Sequence, residues 1–122
     1  MWSALNPDDL DILSWSLTDF KRISDFTPAA YTQLHQQDLA WLKENIQRIR
    51  QHEPQRRVIV LTHHSPTIDG TGDSKFLGGP TNSAFATELS EDMEVWGNPV
   101  LFNQRGYKEG GPGYDPTKVV TI

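Results

Sequence analysis

The strongest pattern along the chain is a stripe of apolar positions between Pro28 and Gln51. Tyr31, Leu34, Leu39, Leu42, Ile46 and Ile49 follow one another every three to five residues, the spacing of one face of an α-helix. Asp38, Lys43, Glu44, Gln47 and Arg48 fall mostly off the stripe and are expected to face water. Thr27 suits the N-cap, and Pro28 at the first helical position gives up only an amide that would have no partner there. Glu53-Pro54 closes the pattern, because proline pushes the preceding residue out of the α region. An amphipathic helix over about 28–51 is predicted.

The period then changes. In Arg57-Val58-Ile59-Val60-Leu61-Thr62 four consecutive apolar residues, three of them β-branched, stand between charge and the His63-His64-Ser65-Pro66 run. This predicts a strand buried on both faces. A long helix running into such a strand is half of a βαβ unit, so the fold class expected is α/β. Residues 67–83 carry four glycines, a proline and small polar groups and read as loop. Phe85, Leu89 and Met93 at period four suggest a short helix within 84–96. Val100-Leu101-Phe102 and Val119-Val120-Thr121-Ile122 are short strand candidates, with a glycine-rich loop over 106–116 between them. Fourteen of the seventeen glycines and prolines lie after residue 65, which places the order in the first half. No internal repeat or boundary divides the chain, so one domain over 1–122 is expected.

Charge narrows the partners. The net charge of −5 argues against a nucleic-acid-binding surface, which needs clustered Lys and Arg. The cluster Arg48, Arg50, Arg56 and Arg57 brackets a helix end, where cations are favoured by the macrodipole. There is no cysteine, which removes disulfides and thiolate metal sites. No apolar run is long enough to span a membrane, and the acidic start MWSALNPDDLDIL lacks the pattern of a signal peptide. A cytoplasmic protein is the expectation.

Candidate chemistry concentrates at His63-His64, straight after the predicted strand, where open α/β sheets bind ligands. Imidazole ligates transition metals and transfers protons near neutral pH. Adjacent histidines at a loop start do not easily converge on one ion, and spacing alone leaves a ligand and a hydrogen-bonded turn equally open. His35, beside Leu34 on the helix stripe, reads as a partly buried hydrogen-bonded residue, and His52 as solvated. Asp8, Asp9 and Asp11 read as an acidic helix start. The glycine pairs near Gly70 and Gly78 lack P-loop spacing, and no G-x-S-x-G elbow surrounds Ser65 or Ser83.

These residues also resemble a family. VIVLTHHSPT, a GT-D loop and NSAFATEL, with LHQQDLAWLKENI before them and FNQRGY after, resemble the later part of calcineurin-like metallophosphoesterases, especially a fungal-type subgroup. SLTDFKRI resembles that subgroup's linker, and WSAL the end of one of its strands. The resemblance implies part of an αββα sandwich and a site for two metal ions of the Fe, Zn, Mn or Mg class. Such ions activate a water for attack on a phosphoester small molecule. It also implies His63 as a metal ligand, with His64 as second choice.

The family's D-x-H, G-D-x-x-D, G-N-H and G-H-x-H motifs have no copy here. Gly97-Asn98 is followed by proline, and no histidine lies between Trp96 and Phe102. The chain therefore reads as the C-terminal portion of that domain with an internal strand–turn–strand lost, and hydrolysis by it alone is not expected. The alternative is a non-catalytic interaction module that pairs with a partner, or with itself, through an exposed sheet edge.

Overall fold

The structure is a computed structural model, and it describes residues 1–68, 77–96 and 114–119. Four helices organise the described residues: α1 over Leu10–Ser16, α2 over Asp19–Arg22, α3 over Pro28–His52 and α4 over Ser90–Trp96. Short 3-10 turns at Pro7–Asp9 and Asn82–Ala84 complete them. α3 forms where the apolar stripe predicts it. The Thr27 hydroxyl accepts the Ala30 amide at 3.1 Å, Pro28 opens the first turn, and Glu53 caps the end through its own amide to the Ile49 carbonyl.

The α/β expectation is overturned. Among the described residues there is no sheet, and the strand-like pairing is confined to one parallel bridge between Ser65 and Ala86. The αββα sandwich therefore does not describe this chain. Residues 57–62, read as a strand buried on both faces, take neither helix nor strand structure. Val58, Val60 and Thr62 are half-buried, whereas Ile59 is 59% and Leu61 90% exposed. β-branched residues fit a pleated surface, but a strand exists only when neighbouring backbone completes its ladder. No hydrogen bond among the described residues reaches the backbone of Val58–Thr62.

Other elements also depart from the pattern. α1 and α2 occupy a stretch in which only the acidic helix start was legible. Between them and α3 the chain turns at Asp25, whose φ of 58° is a left-handed conformation that aspartate tolerates better than most residues. The helix predicted within 84–96 begins only at Ser90, with Phe85 exposed and Leu89 buried. Most of the loop over 106–116, the strand candidate at 100–102 and residues 120–122 lie outside the described residues.

The core joins the chain start to the stretch around Ala84. Leu5, Leu13, Leu17, Tyr31 and Ala84 are buried together, with Trp2, Leu10, Phe20 and Phe26 packed against them. Trp2 meets Tyr31 edge-on, with centroids 4.7 Å apart, and Phe26 at 5.2 Å. α4 is tied to α3 by a Lys43–Asp92 ion pair at 2.8 Å. An open cavity of about 290 Å³ lies between α3 and the 58–62 segment, lined by Trp41, Leu42, Ile46, Ile49, Val58 and Val60 among others.

Candidate functional site

The predicted histidines fall where α3, the chain start and the turn after residue 62 meet. His63 and His64 lie side by side with ring centroids 5.0 Å apart, His63 exposed and His64 half-buried. His64 belongs to a polar network inside an aromatic shell. Its Nδ1 accepts the Ser3 amide at 3.1 Å, and the Tyr31 hydroxyl lies 3.2 Å from the same nitrogen. The Tyr31 hydroxyl donates to the Ala84 carbonyl at 2.8 Å and sits 2.8 Å from the Ser3 hydroxyl. Trp2 meets the His64 ring edge-on at 5.6 Å.

The partners decide the tautomer. A backbone amide can only donate, so His64 Nδ1 is bare and the ring proton sits on Nε2. Burial, the adjacent His63 and the chain's amino terminus lower the His64 pKa to about 4, so the ring is neutral at physiological pH. Burial also raises the Tyr31 pKa, which keeps its hydroxyl protonated. His35 takes the opposite tautomer. Its Nδ1 lies 2.8 Å from the Trp2 carbonyl, an acceptor, so that nitrogen carries the proton.

Ligation by His64 would require this arrangement to change. For His64 to bind a metal through Nε2, its proton would have to move to Nδ1, where it would face the Ser3 amide. His63 stays available as a surface imidazole. Among the described residues no three His, Asp or Glu side chains gather as a metal site, and His63 and His64 alone do not fit a two-metal centre, which needs more ligands.

The other candidates have local partners. Asn6 caps the first turn, accepting the Asp8 amide at 3.2 Å, and its side-chain amide donates to Asp9 at 2.6 Å. His52 is exposed at the end of α3. The Ser65 hydroxyl donates to the Thr67 carbonyl at 2.7 Å, and the Ser83 hydroxyl accepts the Asn6 amide at 3.0 Å, so neither serine is poised beside a base. Glu88 accepts from the Ser90 hydroxyl and from the Ile68 amide, and its carboxyl is held below the usual range chiefly by Ser90.

Sequence reasoning missed Ser3, Tyr31 and Thr87 as polar participants. Tyr31 carried the signal of a core position on a stripe, and nothing local marks its hydroxyl. Asp38 faces water as expected, its side chain 44% exposed, and it also accepts the Trp2 amide at 3.3 Å. No helix among the described residues is long and apolar enough to cross a membrane. Compared with known proteins, the chain matches no family model, no curated protein and no solved structure.

Proposed function

We propose that this chain is related to calcineurin-like metallophosphoesterases and acts, as the 122-residue chain, as a binding module and not as a hydrolase. The observation that carries this reading is the commitment of His64 Nδ1 to the Ser3 amide. It leaves His63 as the single imidazole of the pair with a free choice of tautomer, and one exposed imidazole holds a divalent metal far more weakly than the three or more ligands of a catalytic site. The relationship itself is supported by the order of the VIVLTHHSPT, NSAFATEL and FNQRGY segments. A cytoplasmic setting is supported by the absence of cysteine.

Binding is supported by the segment Val58–Thr62. Its backbone lacks partners among the described residues and Ile59 and Leu61 project into solvent, the character of an edge that accepts a strand from a partner or a second copy. The test is direct. The purified chain, assayed with aryl phosphates in Mn²⁺, Zn²⁺ or Fe²⁺, is expected to give no metal-dependent turnover above the protein-free rate. Turnover that is abolished by His63→Ala would establish hydrolysis instead. Amides of 58–62 are expected to exchange rapidly in the isolated monomer; strong protection in a monomer at sedimentation equilibrium would remove the binding edge.

A further inference from the structure

The first residues of the chain are held in an unusual way. Trp2, Ser3, Ala4 and Asn6 pair their amides with side chains and not with a neighbouring strand. The Trp2 amide donates to Asp38 Oδ2 at 3.3 Å, Ser3 to His64 Nδ1 at 3.1 Å, Ala4 to Thr87 Oγ1 at 2.6 Å and Asn6 to Ser83 Oγ at 3.0 Å. The Trp2 carbonyl accepts from His35 Nδ1 at 2.8 Å. The acceptors and the one donor come from three places: α3, the turn at residue 64, and the stretch 83–87. Leu5 is buried in the core, and Trp2 packs against it. The remainder of the chain thus forms a track that reads a peptide backbone through side chains, with seats for one aromatic and one aliphatic residue.

We propose that this track is a peptide-binding site, filled here in cis, that also accepts the Trp2–Asn6 segment of a second copy, so that two copies dimerise by exchanging it. The contacts that Trp2–Leu5 make in cis can be remade in trans, so exchange costs the opening of the segment, the displacement of the Asn6 amide from Ser83 and the entropy of association. The junction favours exchange. Asn6 is extended, with φ −70° and ψ 122°, and Pro7 follows it. Proline keeps the residue before it out of the α region, so a detached segment is not absorbed as a further helical turn and stays extended at Asn6. The Asn6 side chain stays bonded to Asp8 and Asp9, which anchors the helix start while the backbone ahead of it swings. This site is separate from the Val58–Thr62 edge and does not depend on it.

The absence of native cysteine makes the test clean. Two 122-residue chains, one carrying Ala4→Cys and the other Thr87→Cys, are unfolded in urea, mixed and refolded together, then treated with a short bismaleimide. Covalent heterodimers are expected to form at ~1 mM chain and to fall at least ~tenfold at ~1 µM, as mass action requires. The double variant Ala4→Cys/Thr87→Cys, cross-linked within one chain, sets the yield of a filled track. Interchain yield no higher than that of an Ala4→Cys chain mixed with a Gln51→Cys chain would overturn the proposal. So would a dimer seen by sedimentation without the 4–87 cross-link, which would instead favour pairing through Val58–Thr62.

Discussion

The Nδ1 atom of His64 accepts the amide proton of Ser3 at 3.1 Å, joining positions 61 residues apart. One hydrogen bond thereby fixes a tautomer and docks the chain start. Its consequence for stability has a definite sign. The folded pKa of about 4 lies below the ordinary value near 6.5, so between these values the unfolded chain binds the extra proton. Stability is therefore present at neutral pH, falls as pH drops from about 6.5 toward about 4, and loses no more through this group below that. With the half-exposed ring discounted for solvent screening, the loss is about 1–2 kcal/mol. Urea midpoints across this range should show it, and His64→Gln, which keeps an acceptor but cannot titrate, should flatten the profile.

Tyr31 is 1% exposed, and its hydroxyl satisfies both Ser3 and the Ala84 carbonyl. Tyr31→Phe keeps the ring packing against Trp2 and Phe26 but strands two buried polar groups. The expected cost is about 1–3 kcal/mol, read from urea unfolding. A neutral result would mean that water or a side-chain shift replaces the hydroxyl.

Leu13 is fully buried in the core, whereas Trp15, two residues on, is 77% exposed and carries Lys21 5.3 Å from its ring centroid. Leu13→Ala is expected to cost about 2–5 kcal/mol through the cavity it leaves. Trp15→Ala should cost about 1 kcal/mol or less, since an exposed cation–π contact is all that it removes. Paired thermal melts would separate the two; equal losses would mean that α1 docks through its other face.

The Thr27 hydroxyl is the N-cap of α3. Thr27→Ala should destabilise the chain by about 0.5–2 kcal/mol, and Thr27→Ser should restore most of it. Circular dichroism at 222 nm during urea unfolding gives the comparison.

α3 was legible because its determinants are local: an apolar stripe at one period, a threonine cap, a proline at the first position and a second proline after the last turn. The buried, hydrogen-bonded state of His35 was legible from its place beside Leu34 on that stripe. The acidic residues at 8, 9 and 11 were likewise read from position alone. The segment 57–62 was misread because strand formation is a property of two segments. Its composition specifies an apolar extended stretch but not a neighbour to complete the ladder.

The histidine pair shows the same division at the level of chemistry. Sequence placed two imidazoles at the end of an apolar run and left ligand and structural roles open. Which nitrogen of His64 is bare depends on Ser3, on Tyr31 one turn into α3 and on the carbonyl of Ala84. None of these is near it in the chain. Local hydrogen-bonding rules and hydrophobic period, which act over a few residues, determined the helix and its ends. The roles of His64 and of the exposed Ile59 and Leu61 were decided by what the fold brings beside them, because burial and polar pairing are fixed by neighbours in space.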